Sequence, residues 1–138
     1  MNIELKGNPD LIRSVEEGSR LLLSDINSSE EKVLTFLLEE ISESDRASVT
    51  KEGNSCHICF REPAQYFRIF NYVLHHSGED FSLEERPFFK KRGFMLDCSR
   101  NAAASPEKIR SIVCRLAKMG MNQLFLYMED TYEVPGYP

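Results

Sequence analysis

The residues best placed for chemistry cluster around two apolar runs near the end of the chain. Gly93-Phe94-Met95-Leu96 is followed at once by Asp97, Cys98, Ser99 and Arg100. Asn122 to Met128, NQLFLYM, is followed by Glu129, Asp130 and Tyr132, and Arg92 stands directly before the first run. Carboxylates and a guanidinium suit a ligand rich in hydroxyl groups. The planar fork of arginine can donate to two neighbouring oxygens, and carboxylates accept from hydroxyls. The same charges could equally form a salt-bridged rim, and spacing alone does not separate the two readings.

A second set is Cys56-x-x-Cys59 with His57 and His75-His76, which raises a zinc-binding module as an alternative. A structural zinc site usually takes paired ligands, such as a second C-x-x-C or an H-x3–5-H. Neither is present. Residues three apart on a strand point to opposite faces, and adjacent histidines on a helix diverge. The expectation is therefore no metal site. No G-x-G-x-x-G, G-x4-G-K-[ST] or H-E-x-x-H occurs, so no cofactor is expected.

The elements that must position these groups can be read in chain order. Ile3 and Leu5 alternate with polar neighbours in a short strand ended by Gly7. Asn8 and Pro9 open a helix to about Leu23, with Leu11, Ile12, Val15, Ser19 and Leu22 on one face. Val33 to Ile41 is ambiguous. Its apolar residues fit helical spacing, yet VLTFLL also reads as a strand buried on both faces. Glu52-Gly53-Asn54-Ser55 joins Ala47–Lys51 and Ser55–Arg61 as a hairpin. Pro63 opens a second helix, to about His76, with Gly78 as its stop. Glu79 to Lys91 reads as a connector with a strand-like piece, and Pro87 argues against a central strand there.

The last segment is strand, helix, strand. Gly93–Leu96 lacks alternation, as a parallel strand buried on both faces does. Ser105-Pro106-Glu107 is a strong helix start, Ile109, Ile112, Val113 and Leu116 share a face, and Gly120 ends the helix. The unit has the size of a parallel β-α-β crossover. In such folds ligands bind at the carboxyl ends of the strands. Cys114 reads as a core residue of its helix and Cys98 as a buried strand-end residue.

The run RGFMLDCSRN, the helix after it, and LFLYMEDTYEVPGYP together resemble the opening of the catalytic barrel of glycoside hydrolase family 20, the β-N-acetylhexosaminidases. The resemblance is closest to the bacterial branch whose second strand ends in an EDTYE-type motif, and it spans Arg92 to Pro138. REPAQYFRIFNYVL looks like the helix of the small α+β domain that precedes this barrel; similarity before Ser55 is weak. The resemblance implies an α+β fold, with a sheet-plus-helices domain over residues 1–84. A linker and the first β-α-β of a truncated (β/α)8 barrel would follow over 85–138. It favours Val33–Glu39 as a strand, within an antiparallel sheet that carries helices on one face.

The family removes terminal N-acetylhexosamine, GlcNAc or GalNAc, from glycans by retaining hydrolysis. The substrate's own acetamido oxygen is the nucleophile. Its catalytic Asp–Glu pair lies on the fourth barrel strand, so no catalytic residue is expected here and Glu129-Asp130 is not that pair. By resemblance, Arg92 would hold hydroxyls of the terminal sugar. Glu129 and Asp130 would line the pocket, although relatives often carry Asp-Asp there. Asp97 and Arg100 would serve structure around the strand end. Arg92 to Pro138 is 47 residues, against the ~200 a barrel needs. A fragment that does not turn over substrate is therefore expected, with a glycan as the parent enzyme's partner. The uncovered 92–128 unit would pack on the first domain or pair in a homodimer.

Composition fits this frame. A net charge of −5, with Lys90, Lys91 and Arg92 as the only basic cluster, disfavours a nucleic-acid partner. No apolar run approaches the ~20 residues of a membrane span. MNIELKGNPD lacks the basic start and apolar middle of a secretory signal, so a cytoplasmic location and four free thiols are expected. Asn27-Ser28-Ser29 then reads as a polar turn rather than a glycosylation acceptor.

Overall fold

Alternation of apolar and polar residues dictates the first layer. In the computed structural model, which describes residues 1–24, 32–42, 45–99, 103–129 and 135–136, five strands form one sheet in the order β1-β2-β4-β3-β5. They are β1 (Asn2–Gly7), β2 (Val33–Glu40), β3 (Ala47–Glu52), β4 (Ser55–Phe60) and β5 (Phe81–Glu85). Leu34, Phe36 and Leu38 of β2, Cys56, Ile58 and Phe60 of β4, and Ala47 and Val49 of β3 all turn to one face and are buried. Helices α1 (Pro9–Ser24) and α2 (Pro63–His75) cover that face.

Three expectations are corrected. The 33–40 segment is a strand, but it buries one face only, with Val33 and Leu37 exposed on the other. Its unbroken apolar run reads as two-sided burial only when its partners are unknown. The sheet is mixed rather than antiparallel. β1 and β4 both run parallel to β2, while β3 is antiparallel to β4 and β5. The cause is connectivity: α1 carries the chain back to the start of the sheet before β2 begins, which makes that pair parallel. Gly78 is not the stop of α2. The helix ends at His75, and the His76 amide closes the last turn onto the Tyr72 and Val73 carbonyls.

Tyr66 is the centre of the core. Its ring stacks on Phe70 at 5.4 Å and meets Phe60 at 5.2 Å and Phe67 at 5.3 Å. Its hydroxyl bonds Ser19 Oγ at 2.9 Å, and Ser19 in turn donates to the Val15 carbonyl at 2.8 Å. These buried hydroxyls between α1 and α2 are thus satisfied, as burial requires. Lys51 faces the core side of β3 and is 1% exposed. Its stem packs inward while Nζ donates to the carbonyls of Gly53 at 2.8 Å and Glu79 at 2.7 Å. It thereby ties the hairpin turn to the start of β5.

The remaining elements are β6 (Gly93–Asp97), α3 (Pro106–Lys118) and β7 (Gln123–Tyr127). Ser105 caps α3 by accepting from the Lys108 amide at 3.2 Å. β6 and β7 pair in parallel, in register from Gly93↔Gln123 to Asp97↔Tyr127. Helix α3 rests against α2 and, more lightly, α1. The expected two-sided burial of Gly93–Leu96 is not found: Met95 is 66% exposed and Phe125 53%. Two strands and one helix have no further layer to bury the apolar faces of the strands. Among the described residues, no helix is long and apolar enough to cross a membrane. Asn27-Ser28-Ser29 lies outside the described residues.

Gly18 sets the spacing of α1 and α2. A Cβ added there would sit 2.4 Å from the Phe67 ring. Gly18→Ala is expected to lower the free energy of urea unfolding by about 1–3 kcal/mol, the usual cost of overpacking a core. Gly78→Ala, where an added Cβ meets nothing within 4 Å, should stay within about 0.5 kcal/mol of the parent.

Candidate functional site

Parallel pairing brings the ends of β6 and β7 that point the same way to one rim. The ladder continues past the strands, with the Cys98 amide donating to the Tyr127 carbonyl at 2.8 Å. Asp97 closes β6: its Oδ1 accepts from the Ser99 amide at 2.8 Å and the Ser99 hydroxyl at 2.6 Å. This Asx-type turn bends the chain off the sheet. Glu129 is exposed, two residues beyond the end of β7. Asp97, Cys98, Ser99 and Glu129 therefore share the carboxyl rim of the ribbon. Arg100, Asp130 and Tyr132 lie outside the described residues.

Arg92 is not at that rim. It precedes Gly93, at the amino end of β6, so the length of a five-residue strand, roughly 15–20 Å, separates it from Glu129. The register sets Arg92 and Glu129 at opposite ends of the strand pair. The contacts of Arg92 are explicit. Its Nε donates to the Gly120 carbonyl at 2.7 Å, its Nη1 to the Phe89 carbonyl at 2.6 Å, and its Nη2 lies 3.8 Å from Glu62 Oε2. Its backbone amide donates to Asn122 Oδ1 at 2.8 Å, and Asn122 Nδ2 donates to Glu62 Oε2 at 3.3 Å and the Lys90 carbonyl at 2.8 Å. Arg92 thus joins the end of α3, the 86–91 connector and the start of α2. Sequence position placed it before the strand, and the parallel direction of the strand decides the rest.

Two grooves flank this seam. One of about 520 Å³ is lined by Phe67, Val113, Leu116, Met121 and Leu124, and one of about 370 Å³ by Gln65, Arg68, Arg92, Met119 and Gly120. Neither is lined by Asp97 or Glu129.

The zinc set read from the sequence does not assemble as a whole: among its members only His57 and Cys59 meet, at 3.6 Å. Cys56 is buried in the core and Cys59 faces the other side of β4, as their spacing requires. His75 bonds the Asn71 carbonyl and His76 faces Glu79, both at the end of α2. Burial pushes the Cys56 thiol up to about 11, against smaller opposing pulls from Lys51 and Lys32. Burial, reinforced by the Glu39 carboxylate, also raises that of Cys59. All four cysteines are free thiols, as expected.

No family model matches the sequence, and no curated protein matches it. Solved structures do. The GH20 exo-β-N-acetylglucosaminidase from Vibrio harveyi, in complex with N-acetylglucosamine, superposes with a TM-score of 0.66 at 17% identity, over 91% of this chain and 22% of that one. The fold is shared with GH20 glycoside hydrolases. The GH20 β-N-acetylhexosaminidase from Streptomyces coelicolor A3(2) gives 0.65 at 18% identity, over 91% of this chain and 30% of that one. A GH138 enzyme targeting pectin rhamnogalacturonan II gives 0.60 at 10% identity, over 92% of this chain and 18% of that one. The chain thus spans less than a third of the length of each of these structures. The GH20 likeness expected from the 92–138 run extends over both the five-stranded sheet and the β6-α3-β7 unit, well beyond the stretch where sequence similarity was visible. The GH138 match shows that the fold is shared beyond GH20.

Two outcomes are expected. Arg92→Ala should cost about 1.5–3 kcal/mol in urea unfolding, since charge-assisted bonds to two carbonyls are lost, and should speed protease cleavage in the 86–91 connector. An Arg92 reserved for a ligand would leave both unchanged. Second, a thiol whose ionisation is suppressed by folding stabilises the native state fully below its unfolded value near 9, and that stability is lost as pH rises towards about 11. The urea midpoint should therefore fall between pH 9 and 11, and Cys56→Ala should flatten that slope.

Proposed function

We propose that this chain is a part of a GH20-type glycoside hydrolase. In this reading residues 1–84 are the α+β domain that precedes the catalytic barrel, and residues 85–138 are the linker and first β-α-β of that barrel. The parent enzyme removes terminal N-acetylhexosamine from glycans, with the substrate's acetamido group as nucleophile. The observation that carries the reading is the likeness to GH20 structures over 91% of this chain, in a fold that joins a parallel β6–β7 pair to a five-stranded sheet.

Within it, the sugar-facing groups of this chain are those of the carboxyl rim. Glu129 and Asp130 accept from substrate hydroxyls. Arg100 serves structure around the strand end. Asp97 fixes the turn that presents this segment. Arg92 holds the β-α-β unit in place. The general acid and its aspartate partner belong to later strands.

The 138 residues alone are expected to give no turnover of a chromogenic GlcNAc substrate. Turnover that Glu129→Gln abolishes would overturn the fragment reading. In an intact barrel containing these residues, Glu129→Gln should lower kcat/KM by about tenfold to a hundredfold, the loss of one charge-assisted contact to substrate. An unchanged kcat/KM would remove Glu129 from the pocket.

A second reading, a non-catalytic interaction module, draws on the exposed Phe94, Met95, Phe125 and Leu126. On that reading the 92–128 unit pairs with a second copy. A light-scattering mass of one chain at high protein concentration removes it; twice that mass, reverting on Met95→Lys, favours it.

A further inference from the structure

The outward face of the five-stranded sheet carries a side-chain cluster that the glycosidase reading does not use. Glu39 on β2 lies directly opposite Cys59 on β4 in the parallel register. His57 stands two residues before Cys59 and so shares its face. His57 Nε2 is 2.9 Å from Glu39 Oε2, and Cys59 Sγ is 3.6 Å from His57 Nε2 and 3.8 Å from Glu39 Oε2. One imidazole nitrogen, one sulfur and one carboxylate oxygen thus meet within 4.8 Å of one another.

These are the three donor types that zinc takes. With a metal–sulfur distance of about 2.3 Å and metal–nitrogen or metal–oxygen distances of about 2.0–2.2 Å, tetrahedral donors stand about 3.4–3.6 Å apart. The sulfur–nitrogen and sulfur–oxygen separations already fall near that range. The nitrogen–oxygen pair needs only about 0.5 Å of widening, within the reach of the glutamate torsions. All three residues sit on hydrogen-bonded strands, so the backbone is set before any ion arrives. Sulfur and imidazole donors disfavour magnesium and calcium, which take oxygen ligands. The cluster faces solvent, so water can fill a fourth position.

We propose that Glu39, His57 and Cys59 form a zinc-binding site on the outer face of the sheet, with three protein ligands and one water. It differs from the cysteine pair suggested by Cys56-x-x-Cys59, because Cys56 points into the core. The proposal does not rest on the glycosidase reading.

The full chain, kept reduced and stripped of metal by chelator, is titrated with Zn²⁺ alone and then with Co²⁺ alone as an optical reporter. One equivalent should bind, and cobalt should show thiolate charge-transfer absorption with the visible bands of four-coordination. Cys59→Ser and His57→Gln should each weaken binding more than about tenfold, the low end for losing even a supporting partner of a metal ligand. Cys114→Ser should bind like the parent. Circular dichroism of each variant establishes that it is folded, and Glu39→Gln serves as the replacement should either fail. No saturable zinc binding by the parent chain, binding that survives both substitutions in folded protein, or a cobalt spectrum without thiolate absorption would each overturn the proposal.

Discussion

The guanidinium of Arg92 is the constraint through which the two halves of the molecule hold together. A parallel pair with one crossover helix has too little apolar surface of its own to stand alone. It becomes part of a larger body because Arg92, Asn122 and Glu62 lock the start of β6, the end of α3 and the start of α2 to one another. Gly120 makes this approach feasible: its positive φ of 73° ends α3, and a Cβ there would already press on the Arg68 side chain. Arg68 in turn pairs with both carboxylate oxygens of Glu85 through Nε and Nη2, so the last strand of the sheet is tied to the same seam.

Much of this was legible in the sequence, for identifiable reasons. Period-2 alternation located β1 and β3, the Gly53 turn fixed the β3–β4 hairpin, and Asn8-Pro9 and Ser105-Pro106 marked two helix starts where capping chemistry is local. What was not legible depended on partners. Leu37 reads as core in a run of apolar letters, yet it faces outward because only one side of the sheet is covered by helices. The direction of β2 against β4 could not be read from either strand. Arg92 is the sharpest case. Its identity suggested ligand chemistry, but its contacts are set by which end of a strand it occupies and which way that strand runs. Glu39 likewise carries no local signal, since it meets His57 and Cys59 only through register between strands. The alternation of His57 and Cys59 on one strand was the available hint.

The carboxyl rim and the seam divide the labour. The rim offers acidic and hydroxyl groups presented by the turn at Asp97, while the seam sets where that rim lies relative to the sheet. The fold is shared with GH20 structures and with a GH138 enzyme whose named target differs. A widely used fold does not by itself set function.

The strand order has a consequence for how the chain assembles in time. β3 and β4 are joined by two residues, so their zipper can close within microseconds, and α2 follows directly to cover it. β1 meets β2, and β5 meets β3, only after a helix has carried the chain across, far longer closures that repay their entropy late. The two outer strands are therefore the last of the sheet to seat. Until β1 does, the open edge of β2, with its run of leucines, is a surface on which the chain is prone to mispair.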